Sequence, residues 1–434
     1  MKRILIITFN CPPRGGSGAV RVAGLVRRLE EIGWRPAILT PELSINPDVE
    51  CRVVESDYVG TVGTVLKEKA PDFLSTMYAD DSSQSNTSSE NSTTSAKNPV
   101  KEYVKEIFRL PYEALSYPDG YKYWIPDGIE KGSDFLKEED IDLILSTSPP
   151  VSAHIVGDRL AQEFTIPWIA DYRDLWTQSH YYTHNPIRKH FESQLEQETL
   201  ANAEAVTTTT DPFAQQLHQM HGIPSYSIKN GFSLDDSLKH DLNCNQFSVT
   251  HTGSLYGEKR DPTWLFQSFS DLSKEYDNFL DDLVFNHYGP VSKNLEAIAS
   301  QHGLTENVRQ HGVVSRKAVQ KAQQASQILV SMQWDHPREE EVCPGKIFEY
   351  LSVGRPILSF GGPRGVSSRI LAETGAGKHA INQSSVYQYI KSSYLEYREL
   401  GNVKHDINES AVNRYSHERM RQEFASAFND TIRT

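Results

Sequence analysis

Glu341 and Glu349 flank a short Pro344-Gly345-Lys346 stretch, and the whole segment reads Glu341-Val342-Cys343-Pro344-Gly345-Lys346-Ile347-Phe348-Glu349-Tyr350-Leu351-Ser352-Val353-Gly354-Arg355-Pro356. Pro344 suits a first helical turn, where its missing N–H costs nothing. Ile347 and Leu351 share one face, Gly354 supplies the stop and Pro356 prevents continuation. That places Glu341 in the loop before a helix and Glu349 one to two turns inside it. The N–H groups around Gly345 and Lys346, together with the lysine charge, form an anion site at a helix N-terminus. Two carboxylates beside an anion site suit a ligand with hydroxyls near a phosphate, such as a nucleotide sugar. Each charge-assisted hydrogen bond of that kind contributes about 1.5–3 kcal/mol. On spacing alone, a plainer reading is favoured: Glu339, Glu340 and Glu341 as a solvated acidic run and Glu349 as an exposed helix residue.

Other residues carry weaker signals. Pro12-Pro13-Arg14-Gly15-Gly16-Ser17-Gly18 is a Gly-rich loop that suits a phosphate or a closely approaching ligand, or is simply a flexible turn. Arg21 stands where a dinucleotide fingerprint needs its third glycine, and a side chain that long should not fit the close helix–strand packing there, which argues against NAD or FAD. Gly253-Ser254-Leu255, followed by Glu258-Lys259-Arg260, sits at a strand end, as does Asp171-Tyr172-Arg173-Asp174. Asp80-Asp81 and Asp142 form no Asp-x-Asp metal site, so no metal is called for. The four cysteines, Cys11, Cys51, Cys244 and Cys343, are scattered without metal-ligand spacing and point to a reducing, cytosolic compartment.

The elements that position these residues follow from apolar periodicity. Ile4 to Phe9 is a continuous apolar run, as in a parallel strand buried on both faces. Val22, Leu25, Val26, Leu29 and Ile32 then recur at helical spacing up to Gly33, and Ala37 to Thr40 returns as a strand. Further strands are expected at Ile141–Leu145, Pro167–Ala170, Ala205–Thr207, Phe247–Thr252, Leu283–Phe285, Ile328–Val330 and Ile357–Phe360, with helices between them. Alternation of this kind in both halves predicts two α/β domains with mainly parallel sheets. The boundary falls near 233–245. Residues 82–98 are too polar to offset the entropy of ordering and read as a disordered surface loop. Val100 to Leu115 mixes Lys101, Lys105 and Arg109 with Val104, Ile107 and Phe108; it reads as a surface helix over the first domain, and the same pattern suits an anionic membrane surface. Glu418 to Ile432 is an amphipathic terminal helix with Met420, Phe424, Ala427 and Phe428 on one face.

The chain of 434 residues is 38% apolar, enough for two cores, and its net charge of −13 excludes a general nucleic-acid binder. No apolar run reaches membrane-spanning length, so the protein is expected to be cytoplasmic, at most seated on the inner face of the cell membrane.

The segment from Glu341 to Pro356 resembles the Glu-x7-Glu region of the family-4 retaining glycosyltransferases, which have the GT-B fold. Other pieces resemble that family along the chain. They include Gly15-Gly16 and Gly18 after the first strand, Asn230-Gly231 before the domain linker, and Gly253 with Lys259 and Arg260 as a diphosphate clamp. Ser146 to Pro150 and Asp171 to Asp174 are similar to a subset of these enzymes that assembles surface polysaccharides or glycoconjugates. The resemblance implies an α/β GT-B architecture: Rossmann-like domains at 1–235 and 240–415 face a central cleft, and a helix at 416–434 crosses back to the first. It implies metal-independent transfer of a sugar from a nucleotide-diphosphate sugar to a glycan or lipid-linked acceptor, without a cofactor. Lys259, Arg260 and Lys346 would hold the diphosphate, Glu349 the ribose and Glu341 the sugar. Gly15, Gly16, Gly253 and Gly345 would line the donor, and Asp171, Arg173 and Asp174 would face the acceptor. Two departures stand out: Ser254 replaces a common arginine, and the Asp171-Arg173-Asp174 cluster replaces a histidine. They keep open a non-hydrolysing sugar-nucleotide epimerase and a degenerate sugar-nucleotide-binding subunit.

Overall fold

The computed structural model describes residues 1–69, 113–233, 246–257, 259–404 and 406–433. The polar stretch 82–98, Asp80-Asp81, most of the mixed segment 100–115, Cys244, Glu258 and most of the 233–245 boundary lie outside these residues. The chain forms two compact units, Met1–Asn230 with His417–Thr434, and Gly231–Ser416.

The first unit holds seven strands: β1 (Lys2–Thr8), β2 (Trp34–Pro41), β3 (Arg52–Ser56), β4 (Leu143–Ser148), β5 (Trp168–Tyr172), β6 (Ala205–Thr208) and β7 (Ser225–Ser227). They lie in the order β3-β2-β1-β4-β5-β6-β7. Every pairing is parallel. Ile4, Leu5, Ile6 and Ile7 are all fully buried, because a sheet covered on both faces takes apolar side chains from both sides of the pleat. Helix α1 (Ser17–Val26) ends sooner than its periodicity predicts. Arg28 takes a left-handed conformation with φ 58°, and the chain tightens into a 3-10 turn over Leu29–Ile32 before Gly33. The terminal helix α2 (His417–Thr431) places Met420, Phe424, Ala427 and Phe428 in the same core as Ile4, Ile6, Val22 and Leu25. Gly24 of α1 makes that packing feasible, since a Cβ there would come within 2.5 Å of the His417 ring.

The second unit repeats the plan with β8 (Phe247–Thr252), β9 (Leu283–Tyr288), β10 (Val308–Gln310), β11 (Ile328–Met332), β12 (Ile357–Phe360) and β13 (Gly377–Ala380), in the order β10-β9-β8-β11-β12-β13. All of its pairings are also parallel. Along β11, Ile328, Val330 and Met332 enter one core while Leu329 enters the other with Ile347, Leu351 and Ile357.

Both sheets run outward in two directions from a central pair, β1–β4 and β8–β11. In such sheets the loops leaving the carboxyl ends of the central pair diverge and leave a crevice, which is where ligands bind. The exit loop of β1 is the Gly-rich segment 12–18, and that of β8 begins at Gly253.

Candidate active site

In the second unit, Gly253 leaves β8 with φ 96°, a left-handed geometry open to glycine. Its N–H donates to the Tyr288 carbonyl at 2.7 Å. Gly289, at the end of β9, presses so close that a Cβ would lie 2.4 Å from the Gly253 oxygen. These two glycines bring neighbouring strand ends together with bare backbone. The loop after Gly253 folds back on itself: Arg260 donates from Nη1 to the Ser254 carbonyl at 2.9 Å and lies 4.1 Å above the Tyr256 ring. Lys259 points the other way, its ammonium 4.5 Å above Trp334. Within the exit loop of β11, His336 stacks on Trp334 with ring centroids 4.6 Å apart.

The exit loop of β12 locks against that of β11. Added Cβ atoms at Gly361 and Gly365 would lie 2.4 Å and 2.1 Å from the carbonyls of Gln333 and Glu340. Glu341 therefore ends a fixed 3-10 turn, Pro337–Glu341, and its Oε2 accepts from Arg338 at 2.9 Å. Helix α3 (Lys346–Val353) follows. Pro344 lies outside it, before the Gly345 cap, though its carbonyl accepts from Ile347. The helix starts later than the sequence suggests, so Glu349 is in its first turn, next to Lys346. Gly354 closes it with φ 69°. Of the first amides of α3, those of Ile347 and Phe348 already donate to the carbonyls of Pro344 and Gly345, at 3.0 and 3.1 Å.

Lys346 reaches from α3 to the end of β8. Its Nζ lies 2.8 Å from Nε2 of His251 and would be 3.5 Å from a Cβ at Gly253. Burial, reinforced by the nearby Arg260, holds its ammonium well below the ordinary lysine range, against the pull of Glu349. Burial likewise lowers Lys259, while Glu339 opposes that shift. Gly253, Lys259, Arg260, Gly345, Lys346 and Glu349 thus converge on the carboxyl edge of the β8–β11 pair. The helix is tied to the sheet through Tyr350, whose hydroxyl accepts from the Thr252 N–H at 3.1 Å and donates to the Val330 carbonyl at 3.2 Å.

The first unit arranges its residues differently. Asp171 is 2% exposed, and both its oxygens are taken up within the protein. Arg21 donates to it at 3.0 and 2.8 Å, Thr147 at 2.8 Å and Thr207 at 2.7 Å. Burial alone would raise its carboxyl, but Arg21 and the two hydroxyls hold it below the usual range. Asp171 therefore joins the ends of three strands to α1 and presents no carboxylate outward, contrary to the expected acceptor-side role. Arg21, which stands where a dinucleotide fingerprint needs its third glycine, is buried, with Nη1 on the carbonyl of Ile228 and the side chain of Asn230. Asp171 compensates the charge of this buried guanidinium.

Arg173 is buried too, donating to the carbonyls of Ser148 and Pro149. Gly18 exists for it: a Cβ there would lie 1.4 Å from its Nη1. Asp174 is exposed at the exit of β5. Gly15 and Gly16 are exposed with open space around them, and only Gly16, at φ 100°, needs to be glycine for its backbone.

Two residues absent from the sequence reading stand at this edge: His251 and His287, directly opposite each other in the β8–β9 register. The signal was a repeat, His251-Thr252-Gly253 and His287-Tyr288-Gly289, at two strand ends. Among the described residues no cluster of three or more metal-ligating side chains occurs, and no helix is long and apolar enough to cross a membrane.

Known structures share this fold over the whole chain. Sucrose-phosphate synthase from Thermosynechococcus elongatus matches with a TM-score of 0.63 at 13% identity, covering 99% of both chains. The Anabaena protein HepE, solved in complex with UDP and glucose, gives 0.62 at 11% identity, covering 99% of this chain and 100% of its own. A putative UDP-N-acetylglucosamine 2-epimerase from Listeria monocytogenes gives 0.55 at 10%, covering 100% of this chain and 97% of its own. No curated protein matches the chain in sequence. Family models do match: a glycosyl transferase 4-like domain over residues 100–229, and the glycosyl transferases group 1 domain over 246–383. The chain is a glycosyltransferase of the GT-B fold. In this glycosyltransferase the group 1 match takes in Gly253, Lys259, Arg260, Glu341, Lys346 and Glu349 together, and the 4-like match takes in Asp171, Arg173 and Asp174.

Proposed function

We propose that this glycosyltransferase moves a sugar, with retention of configuration and without a metal, from a nucleotide-diphosphate sugar to a glycan or lipid-linked acceptor in surface-polysaccharide or glycoconjugate assembly. The work would take place in the cytoplasm, at the inner face of the membrane where a lipid-linked acceptor would be presented. The observation that carries this reading is the group of three basic side chains around Gly253. Arg260 and Lys346 lie on one side of the β8 exit, and Lys259 stands above Trp334. Basic side chains beside the N-terminus of α3 suit a diphosphate, and positive charge there would stabilise the charge that develops on a diphosphate leaving group. Glu349 would accept from ribose hydroxyls, and Glu341, held by Arg338, would accept from the sugar. Gly15 and Gly16 leave room for a ligand close to the backbone, and the exposed Asp174 is the carboxylate of the β5 exit that faces outward. The HepE complex with UDP and glucose gives the donor class a precedent within the same fold.

The epimerase reading keeps one support, the likeness to the Listeria protein over the full chain. One experiment separates the two. Candidate UDP- and GDP-sugars are incubated with lipid-linked and oligosaccharide acceptors in EDTA, and donor and product are followed by NMR. Transfer predicts donor loss only with acceptor present, and an axial donor bond kept axial in the product. Donor isomerisation without acceptor would instead establish the epimerase, and an inverted product would remove retention.

A further inference from the structure

Behind the proposed diphosphate site runs a hydrogen-bonded chain that the transfer reaction does not by itself require. Lys346 Nζ lies 2.8 Å from His251 Nε2, His251 Nδ1 lies 3.1 Å from His287 Nδ1, and His287 Nε2 lies 3.1 Å from the Pro290 carbonyl. The two rings are nearly parallel, 15° apart, and His251 and His287 are both fully buried. The far end sets the direction of every bond. A carbonyl only accepts, so His287 carries its proton on Nε2 and its Nδ1 is the acceptor. His251 must then donate from Nδ1, which leaves the lone pair of Nε2 facing Lys346. The amine therefore donates into a stack of two neutral imidazoles and cannot reverse roles without turning two lone pairs against each other.

We infer that His251 and His287 are positioning residues that aim Lys346 at the donor, and that nucleotide binding takes up one proton, which comes to rest on the Lys346 amine. The inference rests on the donor site proposed above. Charge around the amine explains the coupling. Arg260 repels its proton, Glu349 on the same helix attracts it, and His311 lies near His287. Tyr350 packs from α3 against Thr252, and Lys259 with Glu339 stands beyond on the β11 side. Burial lowers Lys346 and both histidines together, so each holds a proton less tightly in the empty site than in water. A diphosphate supplies the negative charge that the empty site lacks and draws the proton in from solvent. The sign follows: Lys346 is lowered in the free protein and raised in the complex. Affinity is therefore greatest below the free-state value and falls as pH rises between the two, by up to about tenfold per pH unit for one linked proton.

The test is calorimetric titration of the full chain with UDP and with GDP from pH 7.5 to 9.5, in pairs of buffers of differing ionisation enthalpy. Phosphate titrations near pH 6 lie below this window. The expected result is uptake approaching one proton and a Kd that weakens with pH. Lys346→Arg keeps its charge throughout, so its uptake should vanish and its Kd become flat. His287→Ala should move the pH dependence, and His287→Gln, which can accept and donate at the two positions, should restore it. Wild-type binding with no proton uptake and a flat Kd overturns the inference alone and leaves the donor site standing. Absence of binding by either nucleotide at every pH overturns the donor site and the inference with it.

Discussion

The buried ion pair between Arg21 and Asp171 gives the first unit a specific vulnerability. Each partner is 2% exposed, and their two hydrogen bonds are 3.0 and 2.8 Å long. Removing one partner strands a charge in the core, which typically costs about 3–5 kcal/mol, whereas replacing both with apolar groups is often close to neutral. Arg21→Met should therefore lower the melting transition of the first unit by roughly 6–20 °C, at about 2–4 °C per kcal/mol for a unit of this size. The double variant Arg21→Met with Asp171→Leu should recover most of that loss. Acid provides a second check. In the wild type the depressed carboxyl contributes stability that is fully present above its unfolded value and is lost as pH falls through the folded value. Without Arg21, burial dominates and the carboxyl rises, so it can take a proton at mildly acidic pH. The gap between variant and wild type should narrow on going from pH 7 to pH 5. Scanning calorimetry of the four members of the cycle measures both effects. An Arg21→Met protein that melts within about 2 °C of wild type at pH 7 would refute the reasoning.

Three further outcomes follow from the second unit. Gly289→Ala places a Cβ 2.4 Å from the Gly253 carbonyl, so it should push the β8 exit loop and weaken nucleotide affinity at least tenfold; unchanged affinity by calorimetry would show that the loop yields freely. Tyr350→Phe leaves the buried Thr252 N–H and Val330 carbonyl without their partner and should cost about 1–3 kcal/mol in denaturant unfolding. A change below about 0.5 kcal/mol would contradict that link. The double variant Lys259→Ala with Arg260→Ala should lower kcat/KM at least a hundredfold while shifting Tm by only a few degrees, because both side chains are half-buried on a loop. Wild-type kcat/KM would remove them from the clamp.

The sequence was legible where burial is two-sided. β8 and β12 have the bounds the sequence predicts: both are buried along their whole length, and β8 is ended by Gly253. β3, β10 and β13 were missed for the opposite reason: Arg52, Glu55, Arg309 and Lys378 break the runs of strands at or near the sheet edges. The glycines were seen, but only the fold shows their purpose. Gly18 clears space for Arg173 and Gly24 for His417, neither of which is near in sequence. Asp171 read as a surface acid because its partner, Arg21, lies 150 residues away. The Lys346–His251–His287 chain was hidden likewise, since the two histidines meet only through the β8–β9 register.

The most direct test of the donor site is a thermal-shift measurement on the purified chain with UDP, GDP, ADP, CMP and dTDP, without metal. A nucleotide that binds the folded second unit at 100 times its Kd contributes about 2.7 kcal/mol, a rise of roughly 5–10 °C in that unit's transition. The account predicts that one nucleoside diphosphate produces such a rise and that the Lys259→Ala, Arg260→Ala variant loses it. No rise with any of the five, or an equal rise in the variant, would contradict it.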